Sequence, residues 1–356
     1  MFFFGSEIPA VPGGVRGRLA PSPTGFLHLG NAWAFWAAWL DARACSGEIL
    51  LRFEDIDPAR ARDEYADAFI RDLGWLGLDW DYGPGADSGA KGEGACSEKV
   101  EPVRAGLVEF RQSRRGGIYQ EALAFLSGKG LVYPCYCTRK ELRDIAGAPH
   151  VDDAGAPYPG FCRALTEEDR QRHEAAGRKS SLRLVTPERT EWMFTDAVMG
   201  DQSLTLGECG GDFALRRSDG VYAYQLAVVV DDIAMGVNSV VRGSDILVST
   251  PRQVYLHSLF GAPPPRYAHV PLVVDEFGER LAKRHASLTL GRLREAGVLP
   301  QTVLGWLAYA SGMRPRFAPL HAREGLDGFS FGAMRPEPLR LPPDTVAFFL
   351  AAQKSA

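Results

Sequence analysis

The chain has 356 residues, 46% of them hydrophobic and 24% charged, with a formal net charge of −4. That length fits about two units of ~150 residues, and the composition predicts a folded core and excludes disorder as the general state. The slightly acidic balance gives no global signal for nucleic acid, although a local basic patch can serve on an acidic body.

The opening MFFFGSEIPAVPGG lacks a basic n-region, a long apolar h-region and a small-residue cleavage site, so it does not read as a signal peptide. No window reaches ~18 uninterrupted apolar residues, which argues against a membrane span. The expectation is a cytoplasmic enzyme without a membrane partner. In chain order, residues 15–20 read as a strand ending in a proline-rich turn, and Asn31 to Cys45 as a helix stopped at Gly47. EILLRF, with Ile49 to Phe53 as its core, reads as a buried strand that runs into acids. This strand–turn–helix–strand rhythm is that of a parallel βαβ unit. DEYADAFIRDLGWLGL is a second amphipathic helix. Residues 84–117 are rich in glycine and small polar residues and read as a loop or insertion. RQSRRGG closes that segment, and its arginines suit either a solvated face or disordered loop, or contact with RNA phosphates. Further on come a helix over about 119–129, a strand in SSLRLVT, and a hairpin around Asp219-Gly220 followed by a long apolar run and a strand. TPRQVYLHSLFGA reads as a helix with Pro251 in its first turn, YAHVPLVVDEFGERLAKR as strand, turn and basic loop, and the last seventy residues as mostly helical.

Two stretches carry candidate chemistry. RLAPSPTGFLHLGN, Arg18 to Asn31, sets turn residues and His28 immediately before a helix. A helix N-terminus exposes unpaired N–H groups and partial positive charge, so it suits phosphate, and Gly30 lets a ligand approach the backbone. The six cysteines are too few for a disulfide scaffold, but Cys135, Cys137 and Cys162 fall within 28 residues. Three thiolates plus one more ligand would make a closed zinc site, and spacing alone offers His150 or His173 for the fourth place.

HLGN, paired with RLAKR (Arg280 to Arg284) about 250 residues downstream, resembles the two-part HIGH and KMSKS signature of class I aminoacyl-tRNA synthetases. GRLAPSPTGFLHLGNA, LRFEDID, DFALRRSDGVYAYQLAVVVDDIAMGV, VVRGSDILVSTPRQ and HVPLVVDEFGERLAKR resemble the glutamate branch of that class, over roughly 15–95 and 118–295. The resemblance implies an ATP site at His28, Gly30, Asn31 and Lys283, with Mg2+ accompanying ATP. It also implies a glutamate pocket of Arg18, Leu19, Ala20, Pro21, Ser22, Glu54, Tyr224 and Arg242. Two guanidinium forks would take the carboxylates and Glu54 the ammonium group. Arg280 and Ala282 stand where that loop usually has lysine and serine.

Only about seventy residues follow Arg284, which resembles the truncated members of the branch. Those members transfer glutamate to the cyclopentenediol of queuosine at the wobble position of tRNA(Asp), so the anticodon stem-loop is the implied partner. A compact enzyme charging tRNA(Glu) is the alternative. The same resemblance makes Tyr158 the fourth ligand of one structural zinc. It implies an α/β protein with a Rossmann-type parallel-sheet core, a small α+β zinc-bearing insertion and a short helical C-terminal region. The expected divisions are 14–117, with the glycine-rich insertion; 118–190, carrying zinc and contacting RNA; 191–295, with the basic loop; and 296–356, without an anticodon-binding domain. The expected state is a monomer.

Overall fold

The computed structural model describes residues 8, 14–85, 108–138, 140–142, 158, 160–187, 189–281 and 288–354. Most of the glycine-rich segment, His150 and Lys283 lie outside these residues.

Strand β1 (Arg16–Leu19), helix α1 (Leu29–Ala44) and strand β2 (Glu48–Leu51) form the parallel βαβ unit that the sequence pattern predicts. The turn into β2 needs Gly47, where a Cβ would come 2.3 Å from the Val15 carbonyl oxygen. Helix α1 has no polar face because it is enclosed: Trp33, Trp36 and Trp39 are each 1% exposed or less. Each indole N–H is nevertheless satisfied, on Pro271 O at 3.0 Å, Ala322 O at 3.2 Å and Asp79 Oδ1 at 2.8 Å. The helix thus ties the first βαβ unit to segments more than two hundred residues away. Helix α2 (Asp63–Leu76) packs into the same core through Phe69, Leu73 and Leu76.

Helix α3 (Gly116–Gly128) leads into strand β3 (Val132–Cys135). The exposed helix α4 (Glu167–Ala175), capped by Thr166 and Asp169, precedes strand β4 (Ser181–Leu184). Strands β5 (Glu191–Asp196) and β6 (Gly200–Thr205) form an antiparallel hairpin that the sequence pattern does not announce. Its turn, Ala197–Met199, carries none of the Asn-Gly or Asp-Gly signals that mark short hairpins. Strand β7 (Phe213–Arg216) joins β3 and β4 in an antiparallel sheet ordered β3-β4-β7. The apolar run that follows is helix α5 (Tyr224–Ala234), then strand β8 (Ser239–Gly243), helix α6 (Thr250–Phe260) and strand β9 (Arg266–Val270). Helix α6 takes Pro251 in its first turn, as expected.

Strands β8, β9 and β5 run parallel to one another, and β6 adds an antiparallel edge. Arg16 and Asn238 stitch β1 to the start of β8: Asn238 N donates to Arg16 O at 3.1 Å, and Arg16 N to Asn238 Oδ1 at 2.8 Å. The carboxyl ends of β1, β8, β9 and β5 therefore open on one side, where open α/β sheets bind ligands.

The C-terminal part is less helical than its sequence suggests. Strand β10 (Val273–Val274), helices α7 (Leu290–Glu295) and α8 (Pro300–Ala310), strand β11 (Leu339–Arg340) and helix α9 (Thr345–Ala352) are regular. Between 311 and 344, however, there are only β11 and two short 3-10 turns. Six prolines in that span (315, 319, 336, 338, 342 and 343) remove backbone donors and stop helix propagation. β11 pairs in parallel with β10 and so fastens this tail to the strand that precedes the basic loop.

Candidate active site

Arg18 is the penultimate residue of β1, and beyond Leu19 the chain turns away through Ala20, Pro21 and Ser22. Arg52 N donates to Leu19 O at 2.9 Å and Glu54 N to Pro21 O at 3.0 Å, so the segment after β2 runs alongside this turn. Arg242 sits near the end of β8, and Tyr224 opens α5. Arg18 and Arg242 are each 5% exposed, the Glu54 side chain is 8% exposed and Tyr224 is half-buried, whereas Ser22 is exposed. The groups share one electrostatic environment. Burial pushes the Tyr224 phenol up, and it feels Arg242, Glu54, Arg18 and Asp232 in that order.

The two arginines are held differently. Arg18 donates from Nη1 to Val241 O at 3.2 Å, and its Nε lies 3.9 Å from Asp232 Oδ1 without a hydrogen-bond partner. Arg242 donates only to neutral groups: Nε to His269 Nε2 at 2.9 Å, Nη1 to Gln253 Oε1 at 2.7 Å and Nη2 to Thr250 Oγ1 at 2.9 Å. Among the described residues no carboxylate pairs with Arg242. A buried guanidinium without a counter-ion is costly, and an incoming carboxylate removes that cost.

Beside these groups lies a buried charge cluster that has no motif of its own in the sequence. Arg52 is fully buried and faces Asp232 Oδ1 at 2.8 Å, Glu54 Oε1 at 3.2 Å and Asp231 Oδ2 at 3.8 Å. Burial pushes the Glu54 carboxyl up, while Arg52 and Arg18 pull it down. A substrate ammonium would favour its charged form further. Asp231 accepts from Arg115 Nε at 2.7 Å, Gln112 Nε2 at 2.8 Å and the Tyr119 hydroxyl at 2.9 Å. Of the three arginines in RQSRRGG, Arg115 is thus a buried strut under the pocket. Arg111 pairs with Asp63 at 2.8 Å, and the exposed Arg114 with Glu109 at 3.4 Å. Arg114 keeps the solvated position that the run suggested, whereas Arg111 and Arg115 turn to acidic partners. The signal was present in VVVDDIA: two acids inside an apolar helix require buried cations.

His28 is the N-cap of α1. Its Nδ1 accepts the Gly30 N–H at 3.1 Å, and its own N–H donates to Asn31 Oδ1 at 3.0 Å. Because Nδ1 accepts, the ring is the neutral tautomer with the proton on Nε2. Gly30 gives this cap room, since a Cβ there would stand 3.0 Å from His28 Cε1 and press on the capping ring. His28 also bridges to Thr289, and Leu290 N donates to Leu27 O at 2.8 Å. The chain just after the basic loop is thereby fastened at the head of α1. Lys283 itself lies outside the described residues.

Cys135, Cys137 and Cys162 bring their sulfurs within 4.8 Å of one another. Cys137 and Cys162 Sγ are 3.6 Å apart, and Cys135 Sγ is 3.4 Å from the Tyr158 hydroxyl. Around a tetrahedral ion with metal–sulfur bonds of ~2.3 Å, neighbouring donors sit about 3.5 to 3.8 Å apart. The Cys137–Cys162 and Cys135–Tyr158 separations are of that size, and the three thiols are compatible with one such cation. The alternatives left by spacing fall away or drop out of view: His173 stacks on Tyr136 at 4.8 Å, and His150 is outside the described residues. Burial, then the neighbouring sulfurs, push the Cys137 thiol up to about 12, a cost that a bound cation would reverse. Asp212 braces the surrounding module, accepting from Tyr133 at 2.6 Å, Thr186 N at 2.7 Å and Arg163 Nε at 2.9 Å.

Residues 14–319 match the catalytic domain of the class I tRNA synthetases (E and Q). The chain belongs to that family and is a ligase. It is 55% identical to the glutamyl-Q tRNA(Asp) synthetase of Nitratidesulfovibrio vulgaris, over 93% of this chain and 96% of that protein. It is 47% identical to the glutamyl-Q tRNA(Asp) synthetase of Symbiobacterium thermophilum, over 93% and 97% respectively. The crystal structure of the glutamate-tRNA synthetase from Elizabethkingia anophelis superposes with a TM-score of 0.75 at 23% identity, over 94% of this chain and 70% of that one, which is a likeness of fold. No helix among the described residues is long and apolar enough to cross a membrane.

Proposed function

We propose that this protein activates glutamate with ATP, without needing tRNA, and transfers it to the cyclopentenediol of queuosine at the wobble position of tRNA(Asp). The near-full-length likeness to two glutamyl-Q tRNA(Asp) synthetases carries this reading. The pocket chemistry supports it: a substrate with two carboxylates and one ammonium meets two buried guanidinium groups and one buried carboxylate. In the first step a glutamate carboxylate oxygen attacks the α-phosphorus of ATP, and pyrophosphate leaves. Arg18 and Arg242 orient the substrate by its carboxylates, Glu54 takes the ammonium, and Tyr224, Ser22 and the backbone of Leu19, Ala20 and Pro21 wall the site. The His28 Nε2–H and the α1 N-terminus at Gly30 and Asn31 receive ATP phosphate. Lys283 would stabilise the pyrophosphate, with Mg2+ carried in on ATP. In the second step a ring hydroxyl of queuosine attacks the activated carbonyl, and AMP leaves. Positioning and fixed charge supply the catalysis, and no covalent enzyme intermediate is required.

In the same reading Cys135, Cys137, Cys162 and Tyr158 hold one structural zinc, which cross-links the turns of the 118–190 segment that contacts RNA. Segments 14–117 and 191–295 make up the catalytic core. Pyrophosphate exchange tests the first step. Exchange is expected with glutamate and no tRNA, and at least about a hundred-fold less with glutamine, because a neutral amide leaves a buried guanidinium unpaired. Equal exchange with the two amino acids would contradict the pocket assignment.

A further inference from the structure

Arg242 is held in place by a pair of residues that do not themselves face the substrate. Strands β8 and β9 pair so that Arg242 lies opposite His269. Asp196, the last residue of β5, lies beyond His269 and is 2% exposed, and His269 is fully buried. Asp196 Oδ1 accepts from the backbone N–H groups of Val198 at 3.0 Å, Met199 at 2.9 Å and His269 at 3.0 Å. Its Oδ2 lies 2.6 Å from His269 Nδ1.

These contacts admit one protonation pattern. Burial raises the Asp196 carboxyl, but the His269 ring and these N–H donors outweigh burial and hold it below its ordinary value. A carboxylate only accepts, so His269 Nδ1 carries the hydrogen. Nε2 is then a bare acceptor, the form that Arg242 Nε–H needs at 2.9 Å. Burial, the largest influence, keeps the imidazole neutral, with its pKa pushed down to about 4. The far edge of the guanidinium is fixed by Thr250 and by Gln253, which donates in turn to Gln225 Oε1 at 3.0 Å. Three of the five guanidinium N–H groups are committed to neutral acceptors, and two remain for a ligand.

We propose that Asp196 is a positioning residue: through the His269 tautomer it aims the Arg242 fork at the substrate carboxylate while leaving its charge uncompensated. A carboxylate placed directly on Arg242 would orient it equally well but would compete with the substrate. An imidazole between the two charges orients without neutralising. The inference rests on reading Arg242 as a ligand for the substrate carboxylate.

The experiment compares Asp196→Asn and Arg242→Gln in glutamate-dependent pyrophosphate exchange. An asparagine amide can donate to Nδ1, which moves the ring proton to Nε2 and sets two donors against each other. The expected result for Asp196→Asn is a KM for glutamate raised about ten- to a hundred-fold, the effect of losing one hydrogen bond to a charged group, with the KM for ATP within about two-fold of the parent value. An unchanged KM for glutamate in Asp196→Asn, alongside a raised KM in Arg242→Gln, overturns this inference alone. An unchanged KM in Arg242→Gln overturns the substrate assignment beneath it. Nitrogen-15 shifts of the His269 ring in the parent protein give a test that does not depend on the variant folding: protonation at Nδ1 is expected, and protonation at Nε2 overturns the proposal.

Discussion

His28 has two jobs that substitution can separate. One nitrogen caps α1, and in the proposed function the proton on the other is directed to phosphate. His28→Asn keeps a good N-cap side chain but removes the Nε2–H. We expect its unfolding free energy to stay within about 1 kcal/mol of the parent value while the exchange rate falls about a hundred-fold. His28→Ala should lose the same rate and, in addition, about 1 kcal/mol of stability. Urea unfolding alongside pyrophosphate exchange measures both, and an asparagine variant with full activity would leave His28 only its cap. The residue scale is also where legibility was uneven. HLGN was readable as a turn at a helix start because turn residues and a helix border are local. The cap on Gly30 was not, because it depends on a rotamer. Asp196 and His269 gave no local signal at all: they meet Arg242 only through the parallel register of β5, β9 and β8.

At the scale of elements, the cysteine module makes the sharpest prediction. Cys137→Ser should lose the bound metal and loosen the turns that carry Cys135 and Cys162, as read by metal analysis of the purified protein and by protease sensitivity within residues 130–190. Metal content equal to that of the parent would show that these sulfurs hold no ion. Tyr158 is the informative partner, because its hydroxyl lies 3.4 Å from Cys135 Sγ and also accepts from Cys162 N at 2.8 Å. Tyr158→Phe should weaken metal retention without abolishing it, since three thiolates remain. The cysteine spacing was legible as a cluster of three sulfurs, but the approach of Tyr158 to it was not, because chain distance does not report which side chain folds back. The β5–β6 hairpin escaped notice for a related reason. Its alternating pattern is short and its turn, closed by Gly200 at φ 72°, lacks the Asn-Gly or Asp-Gly pair that marks a hairpin, so its partner β9, seventy residues downstream, supplies what the local sequence does not.

At the scale of the whole molecule, acid stability should follow two buried histidines. His257 and His269 are 2% and 0% exposed, and burial pushes each down from 6.5 to about 4. A depressed histidine binds its proton more weakly when folded, so the unfolded chain takes up protons first as pH falls. Stability is then full above about pH 6.5, declines through the window down to about 4 and levels off below it. The two sites together should remove on the order of 3 kcal/mol between pH 7 and pH 5, seen as a lower urea midpoint at constant m-value. A midpoint that does not move across that range would mean that the two rings are already charged or exposed. The parallel core was legible because βαβ periodicity is strong, whereas the order in which its strands assemble rests on contacts such as Arg16 with Asn238, which only the folded chain brings together.

The identity of the hydroxyl that receives glutamate separates the proposed reaction from charging of tRNA(Glu). Radiolabelled glutamate, ATP and the full chain should be incubated with three acceptors: tRNA(Asp) containing queuosine, tRNA(Asp) lacking it, and tRNA(Glu). Label is expected only on the queuosine-containing tRNA(Asp), retained after the 3′ end is removed. Label on the 3′ end of tRNA(Glu) would contradict it.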